Sequence, residues 1–272
     1  FMAPYAQSHM THFCHLLWLG AMVLACALLP AEVRAETVQP TIVLGVPRNT
    51  LDSGISAVVL REAYWRVGYK LEIRNLPAER AIVMSSRGEV DGELQRIAGL
   101  NAAYPNLVQV VPAINFLTPT AFSHNRAIAL TDWESARPYR QGIILGIKFS
   151  QIGTEGMNRE IIADYPNAFE MLRADRVDLV LAAGLNGRYH VRLMKLRDVN
   201  EIPLKVPNVE LFHYLHIRHK ALAAELGAVL ENMKVSGDIA RIQHHVTAVL
   251  LERAGRGLPS CDADFSCFEV GL

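Results

Sequence analysis

The chain is 272 residues long, carries 27 basic and 27 acidic residues, and is 51% hydrophobic. A balanced charge excludes the cationic footprint that nucleic acid or an anionic membrane surface demands. The length suits one large domain or two lobes of roughly 100 residues, either able to bury its own core.

The only long apolar run is residues 13–30. It leads into AEVRA, where Val33 and Ala35 are the small residues that signal peptidase accepts ahead of Glu36. Residues 1–35 are therefore expected to be a cleavable export signal, and the protein to be periplasmic. A retained anchor is the alternative, and lipid attachment at Cys26 is another. The flank before the run holds histidines but no Lys or Arg, which supports neither signal nor anchor. Cleavage near Ala35 removes Cys14 and Cys26. Cys261 and Cys267, six apart, then form a pair expected to be a small disulfide in an oxidising compartment, since CDADFSC offers no CxxC and no further metal ligands.

From Thr41 strands and helices alternate. TIVLGVP (41–47) is a β-branched run closed by Pro47. Residues 53–69 place Ile55, Val58, Val59, Tyr64 and Trp65 at helical spacing, with Asp52 or Ser53 as a cap. KLEIRNL (70–76) alternates as a strand, a helix runs from Pro77 to Gly88, VDGEL opens a third strand, and 106–114 and 119–125 add two more. This is a βαβαβ half, which implies a parallel sheet with right-handed crossovers.

A second set follows. A strand at 141–150 precedes helices at 154–165 and 167–176, a buried strand at 177–184 and an extended piece at 208–220. Two amphipathic helices, ALAAELGAVLENMKVSG and DIARIQHHVTAVLLERAG, lead into a loop-rich tail. MSSRGEVDGEL and MLRADRVDLVL echo each other: a helix, a small turn, then Val-Asp opening a strand. That places Gly92, Glu93 and Arg96 at or near a strand's carboxyl end, where ligands bind in open α/β sheets.

These segments, in this order, resemble the extracellular solute-binding proteins of family 3, the bilobal type II periplasmic binding proteins. The matching features are the apolar leader, TIVLGVP, RGEVDGEL as the family's Gly-x-x-Asp unit and RVDLVL as its second-lobe counterpart. FHYLHIRHKALAAEL resembles the crossing-back strand and first terminal helix, and MKVSGDIARIQHHV the terminal helix pair, so that residues 38–250 are covered. The resemblance implies an α/β, two-lobed fold with a mixed, mostly parallel sheet in each lobe. Residues 36–125 plus 208–272 would form lobe 1, and 126–207 lobe 2. Three departures bear on the ligand. PRNTLDSG stands where the family's amino-acid binders carry an aromatic or proline-rich segment. Arg96 comes earlier than the family's Thr-x-x-Arg and lacks its Thr, and Ala182, Ala183 and Gly184 occupy the place of the Asp that holds a substrate ammonium. An α-amino acid is one candidate among several.

A cleft for a small polar molecule needs an Arg for a carboxylate, donors at helix N-termini and an aromatic wall. Strand-end placement nominates Arg48, Glu93 and Arg96, and the start of the second helix nominates Arg80. In the second lobe Ser150 and Thr154, with neighbouring backbone N–H groups, are candidates for an anionic group, although ordinary capping by Thr154 accounts for it equally well. Thr118, near the crossover, is a further candidate. His213, His216 and His219, three apart, would make a metal face on a helix but point to opposite faces on a strand, which their flanks favour. No cofactor or metal is expected. The reading is an exported solute-binding protein, monomeric, that closes two lobes on an amino acid or related organic ion and presents it to a membrane transporter permease or sensor. The alternative is an exported dehydratase- or hydrolase-like enzyme on the same fold with Glu93 as its acid or base.

Overall fold

The computed structural model describes residues 39–47, 51–261 and 265–268. The expected leader and Arg48 lie outside the described residues. The chain builds two five-stranded sheets, one of order β2-β1-β3-β10-β4 and one of order β7-β6-β8-β5-β9.

In the first sheet, β1 (Thr41–Pro47) pairs in parallel with β2 (Lys70–Leu76) and with β3 (Gly92–Ile97). The returning β10 (Val209–His216) is antiparallel to both β3 and the edge strand β4 (Leu107–Leu117). Helix α1 (Ser53–Arg66) shows no clean amphipathic stripe because ten of its residues are buried, among them Val59, Leu60 and Tyr64. It packs against the two terminal helices, α7 (Lys220–Val235) and α8 (Asp238–Gly255). Each fully buried Leu or Val of this core contributes about 1.5–3 kcal/mol. The Cys261–Cys267 disulfide is formed, and Phe268 beyond it is buried in the same core.

The second sheet holds β5 (Pro119–Ser123), β6 (Gln141–Ile144), β7 (Arg159–Ile162), β8 (Leu179–Ala183) and β9 (Asn200–Pro203). The sequence reading put 119–125 in lobe 1; instead β5 lies between β8 and β9, antiparallel to both. The chain therefore passes between sheets at Leu117–Pro119 and returns between Pro203 and Val209. The helix expected at 154–165 is also corrected. A six-residue helix, Lys148–Gly153, comes earlier, and Arg159–Ile162 is an edge strand.

The repeated Val-Asp has a structural cause. Asp91 accepts a hydrogen bond from the Val43 backbone N–H at 2.8 Å, and Asp178 accepts one from the Arg140 N–H, also at 2.8 Å. In each lobe one aspartate satisfies a backbone donor at or beside the lobe's first parallel strand. Asp91 is held further by Arg218 and His219, and Asp178 by the Arg140 guanidinium.

Candidate functional site

Between the two sheets lies a cleft of about 1260 Å³. Its first-lobe wall comes from the carboxyl end of β3 and from β10, with Gln95, Arg96, Ile97, Leu211 and Phe212. Its second-lobe wall is Trp133 and the stretch after β6, from Gly146 to Phe149, with Ile152 and Gly153. Both chain crossings border it, through Leu117, Pro119 and Val206 to Val209. Strand ends and crossings thus meet in one place, the arrangement in which open α/β sheets hold ligands.

The floor is polar and densely bonded. Glu93 is fully buried; one carboxylate oxygen accepts from Arg96 Nε at 2.7 Å and the other lies 3.1 Å from the Ser85 hydroxyl. Burial pushes the Glu93 carboxyl above its ordinary range, against the opposing pull of Arg96 and Ser85. Arg96 also donates to the Ala78 carbonyl at 3.0 Å. Beside this pair, Gln95 donates to Asp52 and accepts from Ser56, and Asp52 accepts from Asn186 at 3.2 Å. Beneath them His213 is fully buried. Its Nδ1 lies 2.8 Å from the Glu93 carbonyl, which can only accept, so Nε2 is the acceptor for the Tyr64 hydroxyl at 2.9 Å. Burial lowers the His213 pKa to about 4.

Of the residues nominated from sequence, Arg96 lines the cleft with Glu93 buried behind it. Arg80 does not; it is exposed on the helix Ala78–Arg87, in a separate depression with Val83, Met84 and Arg87. Thr118 borders a small hinge pocket of about 110 Å³, and its carbonyl accepts from Thr120 and from the Gly184 N–H. Ser150 and Thr154 are fully buried, and the Thr154 hydroxyl donates to the Ser150 carbonyl at 2.7 Å, closing a short helix rather than facing the cleft. The three histidines do not share a face: His213 bonds Tyr64, His219 bonds Asp91, and His216 accepts from the Arg218 N–H. The reading missed Gln95, Lys148, Trp133, Phe149 and Ile152. The strand-end rule applied to β6 would have found Lys148 and Phe149.

No family model matches the sequence. An uncharacterized protein of Shewanella oneidensis is 23% identical over 229 residues, covering 79% of this chain and 86% of that protein. Among solved structures, the probable amino-acid ABC transporter extracellular-binding protein ytmK of Bacillus subtilis superposes with a TM-score of 0.61 at 14% identity, over 75% of this chain and 96% of that one. A histidine kinase sensor domain with similarity to periplasmic binding proteins gives 0.60 at 16% identity, over 75% and 94%. The chain has the two-lobed fold of the periplasmic binding proteins.

Proposed function

We propose that this protein is an exported solute-binding protein that captures a small molecule between its lobes and presents the closed form to a membrane transporter or sensor. The observation that carries the reading is the cleft, where the carboxyl ends of β3 and β6 face each other beside the two chain crossings. A ligand touching both walls favours the closed state by its differential affinity, and the crossings absorb the motion. The structural neighbours support the same reading, since one is described as the binding component of a transporter and another as a sensor domain. Export by the leader, a periplasmic location and a monomeric state belong to the proposal. The enzyme alternative has less support: Glu93, its acid, is buried behind Arg96, and both carboxylate oxygens are hydrogen-bonded, to Arg96 and to Ser85.

The test is a thermal-shift screen of the protein against amino acids, polyamines, organic acids and small peptides. A ligand at 100 times its dissociation constant adds about 2.7 kcal/mol to stability. Binding accompanied by a smaller radius of gyration in X-ray scattering is the expected result. Silence across all four classes would remove the reading.

A further inference from the structure

We infer that the cleft takes an organic acid with a bulky aromatic or branched apolar body and no amino group. This deepens the binding reading above and rests on it. The first argument is the character of the walls. Ile97 from the first lobe is 49% exposed and Ile152 from the second is 70% exposed, and both line the cleft. Trp133 and Phe149 stand beside Ile152 with ring centroids 6.2 Å apart, and Leu100 and Phe212 complete the opposite side. Single exposed apolar residues need no explanation, but apolar side chains from two lobes on one concavity do. Closing on a small polar solute would leave them facing water or one another. Closing on an apolar body removes both sets from water.

The second argument is the charge available to the ligand's polar end. The Arg96 guanidinium commits Nε to Glu93 and one terminal nitrogen to the Ala78 carbonyl, which leaves its other terminal nitrogen without a hydrogen bond among the described residues. Lys148, from the second lobe, lines the same cleft and makes no ion pair among the described residues. A carboxylate held in the cleft has donors on both sides. Among the described residues an ammonium has no such partner in the interior. Glu93 is taken by Arg96 and Ser85, Asp52 by Gln95 and Asn186, and the carboxyl end of β8 is Ala182-Ala183-Gly184. Glu79 and Glu210 border the cleft at exposed positions, as Lys148 does, so the asymmetry rests on Arg96, whose side chain is 18% exposed and faces no unpaired buried carboxylate among the described residues. Stripping an ammonium of water against apolar walls without a buried counter-charge is costly.

The test compares each apolar amino acid with its desamino analogue by calorimetry and thermal shift: phenylalanine with hydrocinnamate, tryptophan with indolepropionate, leucine with isocaproate. Neutral amides of the same acids form a third set. The acids are expected to bind, and the amino acids to bind at least about ten-fold more weakly. Ile152→Ser, at an exposed position that costs the fold little, is expected to weaken the acids about ten-fold, and Lys148→Gln to weaken acids but not amides. Arg96→Gln is the riskier variant because it strands buried Glu93, so the exposed pair carries the test. Amino acids binding as tightly as their desamino partners, or polyamines or peptides binding in place of the acids, would overturn this inference while leaving the binding reading standing. If neither these sets nor the broad screen binds, the binding reading fails with it.

Discussion

The Asn186 amide donates to the Asp52 carboxylate at 3.2 Å, joining the first turn of α6 (Gly184–Leu193) in the second lobe to the start of α1 in the first. Asp52 is 7% exposed and also accepts from Gln95 on the cleft floor. Gln95 at the cleft is thus one hydrogen bond from a contact between lobes. Asn186→Ala removes a bond to a buried charge and is expected to cost about 2 kcal/mol. Asn186→Asp places a second carboxylate against buried Asp52 and is expected to cost more than Asn186→Ala. Urea midpoints of the two variants test this; equal losses would mean that the contact is not made in solution.

His213 is expected to make stability fall as the solution is acidified. Its folded pKa is depressed to about 4 from 6.5 because burial disfavours the imidazolium. The unfolded chain therefore takes up a proton first, and the stabilising contribution, complete above the unfolded value, is lost as pH falls between the two. The full difference corresponds to roughly 3 kcal/mol at 1.36 kcal/mol per unit. His213→Gln removes the titration. The wild-type stability minus that of the variant should decline through this window; a flat difference would show that His213 is solvated.

Glu93 acts in the opposite sense. Burial raises its folded pKa above 4.5, so the folded state holds the proton longer than the unfolded chain does. Stability from this group is present at low pH and is lost as pH rises from the unfolded value through the folded one. Arg96 and the Ser85 hydroxyl, which donates to the carboxylate, pull the other way, and burial outweighs them. Glu93→Gln keeps the shape and can still accept from Arg96, so it is expected to fold and to lose this pH dependence. Glu93→Ala strands Arg96 and is expected to cost about 3–5 kcal/mol. Similar costs for the two variants in denaturant titrations would contradict the assignment.

Much of this architecture is legible in the sequence because it rests on local chemistry. Pro77 and Gly88 bound one helix, and the repeated Val-Asp marks both strand openings, where Asp91 and Asp178 do the same work. The second lobe is harder to read. REII (159–162) is four residues long and lies at a sheet edge with Ile161 half exposed, too short for a period of two to show. The helix GLNGRYHVRL escapes notice because two glycines lower its propensity by about 1 kcal/mol each. Packing explains one of them: a Cβ at Gly187 would lie 2.1 Å from the Phe122 ring. The site follows the same division. Arg96 is found by strand-end position, and the same rule at β6 reaches Lys148 and Phe149, whereas Trp133 and Ile152 join them only through the tertiary fold. Ser150 and Thr154 look like ligand donors in sequence because hydroxyls at helix ends serve capping and binding alike.

The C-terminal tail is expected to act as a plug held by the disulfide. Phe268 is 1% exposed against the first turn of α1, and its carbonyl lies 3.0 Å from His245 Nε2. A Cβ at Gly54 would lie 2.5 Å from the Phe268 ring, so Gly54→Ala must displace the plug and is expected to cost about 1–3 kcal/mol. Replacing Cys261 and Cys267 with serine frees a short loop and is expected to cost about 2 kcal/mol in the chain-entropy account. Both changes act through Phe268, so together they should cost less than the sum of the two alone. Thermal unfolding of the three variants tests this. Strict additivity would show that the disulfide stabilises the chain without holding Phe268 against Gly54.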